Sequence, residues 1–214
     1  VLDALIFTKT PAVLQAVYPD CIWKINTTER VLYLTFDDGP IPEVTPFVLE
    51  ELKKWNAKAT FFCIGKNVEA NPEIFRQIIN EGHTIGNHTY DHLNGWNVSN
   101  EVYFENIEQC AAFLNLKSEI RDPKLFRPPY GKLKPFQYNT LKSKHRIVMW
   151  DVLSYDFDLS ITKEKVVDNV LQNAEPGSVV VFHDSLKAKE KVLFALPKVL
   201  KHFSAQGYKF EALC

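Results

Sequence analysis

Short runs of β-branched and aromatic residues alternate with longer stretches of helical spacing from Arg30 to the end of this chain, and no other feature limits the fold as much. The strand-like runs are Val31–Phe36, Ala59–Ile64, Thr84–Gly86, Leu125–Arg127, Arg146–Val152, Val179–Phe182 and Tyr208–Leu213. Between them, Glu43–Trp55 sets Val44, Phe47, Val48, Leu52 and Trp55 on one helical face. Pro72–Glu81 begins after Asn71, a suitable N-cap, and stops at Gly82. Ser99–Leu116, Lys134–Lys144, Thr162–Ala174 and Glu190–Ser204 complete the helical set. Strands separated by helices are βα units, which build a parallel sheet of about seven strands with helices outside. Periodicity alone leaves a closed barrel and an open doubly wound sheet equally available.

Composition narrows the function classes. With 46% hydrophobic and 24% charged residues among 214, the chain has enough apolar side chain for a large core. Lys and Arg number 25 against 26 Asp and Glu, which argues against a nucleic-acid partner. No apolar run approaches the length of a membrane span. Residues 1–30 read as an N-terminal extension packing on a body formed by residues 31–214. Val1–Thr10 lacks the basic lead of a signal peptide, and Cys21, Cys63, Cys110 and Cys214 show no disulfide spacing. Both features lean towards an intracellular setting, with localisation and oligomeric state otherwise open.

Chemistry-bearing residues gather at the ends of the apolar runs. Val31–Phe36 leads into Asp37-Asp38-Gly39-Pro40, and Thr84–Gly86 into Asn87-His88-Thr89-Tyr90-Asp91-His92. Leu125-Phe126 leads into Arg127-Pro128-Pro129-Tyr130, Ile147–Trp150 into Asp151 and on to Asp156, and Val179–Phe182 into His183-Asp184. In α/β barrels and open sheets alike, the C-terminal ends of the strands carry the active site.

Each cluster also has a plain structural reading. Asp-Asp-Gly-Pro makes a turn, a His pair four apart can be a surface accident, and an Arg is usually a salt-bridge partner. Read together, they suggest more. His88 and His92 on one helical turn face the same way, and with Asp38 they form two His and one carboxylate, a three-ligand set with room for water as in catalytic zinc sites. Asp37 beside a cation stays ionised and ready to take a proton. Arg127 is placed to orient Asp37, Asp156 to orient Arg127 or His183, and His183 is a candidate general acid. Asp91 points elsewhere on a helix and is left out of the ligand set.

These five segments, in this order, resemble the motifs of the polysaccharide deacetylases with a NodB-type homology domain, carbohydrate esterase family 4. The resemblance extends from Arg30 to Leu213. It implies a distorted (β/α) barrel, one divalent ion (zinc above all) on Asp38, His88 and His92, Asp37 as general base and His183 as general acid. It further implies that Arg127 positions Asp37, that Asp156 tunes His183 or Arg127, and that the Tyr130 N–H helps hold an oxyanion. Phe157 stands where the family usually has Trp, and Val179 and Val181 where it often has Leu, exchanges that touch pocket walls rather than reacting groups.

The implied reaction is hydrolysis of N-acetyl groups on N-acetylglucosamine-type residues of a glycan, by water activated at the ion. Trp96, Tyr130, Trp150 and Tyr155, with Pro129 beside them, are the candidate sugar-binding residues. An O-acetyl esterase acting on acetylated xylan would use the same groups. A non-catalytic carbohydrate-binding protein would be expected to have lost the base, the acid or a ligand. A phosphoesterase would want a second metal.

Overall fold

Alternate side chains of Val31–Asp37 (β1) serve two interiors. Leu32, Leu34 and Phe36 join the apolar layer under the helices, whereas Tyr33 and Thr35 face the other side of the sheet. The computed structural model describes residues 7–118 and 124–214. In it β1 pairs in parallel with Thr60–Cys63 (β2) on one side and Val179–His183 (β7) on the other. Beyond β2 come Thr84–Asn87 (β3), Leu125–Phe126 (β4) and Arg146–Ile147 (β5), and beyond β7 lies Val152–Leu153 (β6). Lys209–Phe210 (β8) pairs with the start of β1.

The order β5-β4-β3-β2-β1-β7-β6 is parallel throughout and curls into a half-barrel, the distorted barrel that the motifs imply. Around it run Ala12–Val17 (α1), Thr45–Lys54 (α2), Gly65–Ala70 (α3), Pro72–Asn80 (α4), Asn100–Ser118 (α5), Pro135–Leu141 (α6), Lys163–Asn173 (α7) and Lys189–Ala205 (α8). Phe36 stacks on Phe61 at 5.1 Å and on Phe182 at 6.0 Å, tying the three central strands together under the helices. Full burial of each such ring contributes about 1.5–3 kcal/mol.

The expected single strand Arg146–Val152 is two strands. Its middle is bonded by the N-terminal segment instead of by a continuous neighbour. Ile22 N–H donates to the Ile147 carbonyl and its own carbonyl accepts from Met149 N–H, both at 2.8 Å. Thr10 N–H donates to Asp151 O at 2.9 Å, and Leu153 N–H to Thr8 O at 2.8 Å. Residues 8–22 therefore lie along the stretch that joins β5 to β6, the two ends of the strand order. Residues 1–6 of the expected extension lie outside the described residues.

Asp151 also departs from expectation. It is buried away from the rim, accepting from Lys9 Nζ at 2.7 Å and Ser178 Oγ at 2.5 Å. Helices α1 and α3, six residues each, are too short to leave a periodic signal. Asn71 does not cap α4 with its side chain; its amide donates to Pro40 O and Asn67 O, each at 3.2 Å. The four cysteines are free thiols, three of them buried. Among the described residues, no helix is long and apolar enough to cross a membrane.

Candidate active site

Parallel strands bring their C-terminal ends to one rim. Asp37 closes β1, His183 closes β7 in register with it, His88 follows β3 and Arg127 follows β4. Asp156 comes three residues after the end of β6.

Arg127 has no solvent exposure, and every polar edge of its guanidinium is engaged. Nη1 donates to Asp37 Oδ1 at 2.6 Å and to Thr35 Oγ1 at 2.7 Å; Nη2 donates to Met149 O at 2.9 Å and Nε to Val148 O at 3.3 Å. The face of the group lies 4.2 Å from the centre of the Phe62 ring. Burial alone would raise the Asp37 carboxyl, but Arg127, with the cationic His183 behind it, outweighs burial and holds Asp37 below the usual carboxylate range.

Asp156 orients His183 and makes no bond to Arg127. Its Oδ1 lies 2.8 Å from His183 Nδ1, and its Oδ2 accepts the His183 backbone N–H at 2.7 Å. The first contact places a proton on Nδ1 and leaves Nε2 free to exchange one. Burial opposes the charge on His183, but Asp156, followed by Asp38 and Asp37, raises the imidazole to about 9. Phe157 packs edge-on against that ring at 4.9 Å, so the exchanged wall residue touches the candidate acid.

Asp38, His88 and His92 place their ligand atoms within 4.8 Å of one another, the one such group among the described residues. Asp38 Oδ1 is 3.3 Å from His92 Nε2 and 3.8 Å from His88 Nε2, and this buried oxygen has no hydrogen-bond partner among the described residues. Two ligands at ~2.0–2.1 Å from a tetrahedral ion stand roughly 3.3 Å apart, so the spacing fits a single cation. His88 Nδ1 lies 2.7 Å from the Arg127 carbonyl and carries the proton there, which leaves the Nε2 lone pair towards Asp38. Burial pushes His88 down to about 4, so it is neutral, as a ligand must be.

The loop from His88 to His92 is not the helical turn that the spacing suggests. Thr89 (φ 63°) and His92 (φ 58°) are left-handed, and this is what turns both imidazoles to one ion site. Of the six non-glycine residues with positive φ among the described residues, five stand on this rim: Asp38, Thr89, His92, Tyr130 and Tyr155. Such conformations cost of order 1–3 kcal/mol each and persist only where neighbours impose them. Sequence reasoning passed over those neighbours. Asn87 Oδ1 accepts from Thr89 N–H at 2.8 Å, and Asn106 Oδ1 on α5 accepts from Tyr90 and Asp91 N–H at 2.8 and 3.0 Å. Asn67 Nδ2 donates to Asp38 O at 2.7 Å. The available signal was a set of Asn residues next to apolar positions, where a buried amide needs partners. Asp91 stays outside the ligand group, accepting from Asn106 Nδ2 at 3.1 Å.

The candidate sugar-binding residues differ in exposure and in what they touch. Tyr130, 59% exposed in the 3-10 turn Pro129–Gly131, brings its ring 4.7 Å from His92. Pro129 beneath it is buried. Trp150 joins Tyr130 in an apolar groove with Phe7, Leu14 and Trp23 of the N-terminal segment. Trp96, half exposed, fixes its indole N–H on Leu133 O at 3.0 Å under Lys132. Tyr155 stacks on Phe157 at 5.7 Å, one ring removed from His183.

Residues 24–146 match the family model described as Polysaccharide deacetylase. A peptidoglycan-N-acetylglucosamine deacetylase of Bacillus cereus is 36% identical over 190 residues, covering 88% of this chain and 88% of that protein. A chitooligosaccharide deacetylase of Azorhizobium caulinodans is 34% identical over 205 residues, covering 89% and 96%. A crystal structure of a peptidoglycan N-acetylglucosamine deacetylase in complex with 4-naphthalen-1-yl-N-oxidanyl-benzamide superposes with a TM-score of 0.87 at 35% identity, over 95% of each chain.

Proposed function

The chain belongs to the polysaccharide deacetylase family, and from that premise we propose that it hydrolyses N-acetyl groups on N-acetylglucosamine-type residues of a polysaccharide or oligosaccharide. The observation that carries this furthest is the partnerless Oδ1 of Asp38 facing two imidazole nitrogens, flanked by a buried Asp–Arg pair and a buried Asp–His pair. Asp38, His88 and His92 hold a divalent cation, zinc by the chemistry of one carboxylate and two imidazoles. When bound, such an ion polarises the acetyl carbonyl and makes water a stronger nucleophile at neutral pH.

The rest is done by the chain's own groups. Asp37, ionised by Arg127, accepts the proton of the attacking water at its carboxylate. The Tyr130 N–H donates to the oxygen on which negative charge collects. His183, whose charged form Asp156 favours, delivers its Nε2 proton to the departing amine nitrogen, without which the C–N bond would have to expel an amide anion. Acetate and a free amino sugar leave. Tyr130, Trp150, Trp96 and Tyr155 form the sugar-facing wall, whereas the buried Pro129 supports the Tyr130 turn from beneath rather than meeting sugar as the sequence suggested.

The test is acetate release from chitooligosaccharides, peptidoglycan fragments and acetylated xylan, with added zinc and with chelator, beside His183→Ala. Chelator-sensitive release from N-acetylated glycans that the substitution abolishes is the expected result. Release from the xylan alone would make the protein an O-acetyl esterase. No release from any of them by zinc-loaded protein would favour a carbohydrate-binding role.

A further inference from the structure

Asp184, the residue after the candidate acid, is completely buried, and its bonds fall on both sides of Asp38. Its backbone N–H donates to the carbonyl of Asp37 at 3.0 Å. Its Oδ1 accepts the N–H of Gly39, also at 3.0 Å. Asp38 lies between these two anchored residues with φ at 83°, a left-handed conformation that a non-glycine residue leaves readily unless it is held.

The second carboxylate oxygen is fixed as firmly. Oδ2 accepts from Thr45 Oγ1 at 2.6 Å, while Thr45 Oγ1 itself accepts the Ile41 N–H at 2.7 Å. The Thr45 hydroxyl proton is thereby directed at Asp184, so the carboxylate holds residue 39 directly and residue 41 through Thr45, while the backbone N–H of the same residue holds residue 37. Glycine is required opposite it, since a Cβ on residue 39 would overlap the Asp184 side chain. None of these contacts reaches the metal-ligand atoms, and none belongs to the proton-transfer pairs Asp37–Arg127 and Asp156–His183.

We propose that Asp184 is a positioning residue for the cation site: it clamps both flanks of Asp38, holds that ligand's carboxylate towards His88 and His92, and couples the ion-binding turn to the strand that carries His183. The proposal rests on Asp38 being a ligand. An Asn at position 184 can accept the Gly39 N–H but turns a donor towards Thr45, so one half of the clamp is lost while side-chain volume is retained.

Zinc affinity of the chelator-stripped full chain, measured by competition with a chromogenic chelator, tests it. Asp184→Asn should weaken zinc binding by about 10- to 100-fold, the range for groups that orient ligands from outside the coordination sphere. At saturating zinc it should recover much of its kcat, with KM for the glycan and the pH profile unchanged. Thr45→Val, which removes the donor to Oδ2 together with the acceptor of the Ile41 N–H and leaves Asp184 in place, should weaken zinc in the same direction and serves if Asp184→Asn does not fold. A purely architectural Asp184 would lower the melting temperature of the stripped protein and leave zinc affinity at the wild-type value, and that result overturns the proposal. Asp38→Ala separates the premise from the inference. Should it bind zinc as tightly as wild type, Asp38 is no ligand and both fall; zinc loss in Asp38→Ala with wild-type affinity in Asp184→Asn removes the clamp alone.

Discussion

Arg127 Nη1 sits 2.6 Å from Asp37 Oδ1, with the Arg side chain wholly buried and the Asp side chain 5% exposed. The pair stands between two strand ends, and Arg127 has no water to fall back on if Asp37 is removed. Breaking a buried pair by deleting one partner typically costs about 3–5 kcal/mol, whereas replacing both with apolar groups costs far less. Arg127→Leu should therefore lower the urea-unfolding free energy by roughly that amount and raise the acid limb of the activity profile, because Asp37 loses the cation that keeps it ionised. The Arg127→Leu, Asp37→Leu double variant should regain much of the stability and none of the activity. Additive stability losses would show that the two residues act independently.

The Asp156–His183 pair gives stability a definite pH dependence. His183 is raised from 6.5 to about 9 in the folded chain, so in that window the folded state holds a proton that the unfolded state has released. The stabilisation is complete below about pH 6.5 and disappears as pH climbs through about 9. Urea unfolding of zinc-free protein should show stability falling across this window, at up to ~1.4 kcal/mol per pH unit where the difference is one whole proton. In Asp156→Asn the fall should be much shallower. An equally steep fall in that variant would assign the proton to another group.

Zinc should act on the fold as well as on the reaction. A ligand that binds only the native state stabilises it by about 2.7 kcal/mol at a hundred times its dissociation constant. Thermal melts should rise on adding zinc and fall with chelator in wild type, and Asp38→Ala or His92→Ala should flatten the response. Persistence of the full zinc shift in both variants would place the ion elsewhere.

What could be read beforehand depended on the kind of signal. Asp37, His88, Arg127, Asp156 and His183 each interrupt or follow an apolar run, and parallel strands necessarily bring such ends to one rim. The backbone that aims them left no trace. Asp38, Thr89, His92, Tyr130 and Tyr155 adopt positive φ without being glycine, so the four-residue spacing of His88 and His92 looked helical when it was a loop held by Asn87 and Asn106. Ile147–Trp150 is apolar throughout, and nothing local says that residues 8–22 take its hydrogen bonds and divide it. Asp184 was visible as the neighbour of His183, but its work lies with Gly39 and Thr45, about 140 positions away, beyond any periodic pattern.

The N-terminal segment is strapped on by a charge as well as by backbone bonds. Lys9 Nζ donates to Asp151 Oδ2 at 2.7 Å and to Glu175 Oε1 at 3.0 Å, and Lys24 meets the same Glu175 at 2.7 Å. Asp151 is 2% exposed but Lys9 is about a third exposed, so solvent weakens the pair and Ser178 remains to satisfy the carboxylate. Lys9→Met should cost about 1–2 kcal/mol on those grounds and open residues 7–24 to limited proteolysis sooner than the rest of the chain. Protection equal to wild type would mean that the Thr8, Thr10 and Ile22 backbone bonds hold the segment without Lys9.

Tyr130 separates what a side chain does from what its backbone does. The ring is 59% exposed beside His92, whereas the N–H assigned to the developing oxyanion belongs to a residue held at φ 60° between Pro129 and Gly131. Tyr130→Ala removes the ring and keeps the N–H. If the ring stacks on sugar, KM for a chitooligosaccharide should rise by roughly 5- to 20-fold, an aromatic contact being worth about 1–2 kcal/mol, while kcat stays within a few-fold of wild type. Tyr130→Gly removes the same ring and takes φ 60° without strain, so it should match Tyr130→Ala in KM and keep kcat at least as well, since both variants retain the N–H. A large loss of kcat in both variants, with KM unchanged, would overturn this division and place the Tyr130 ring itself in the chemical step.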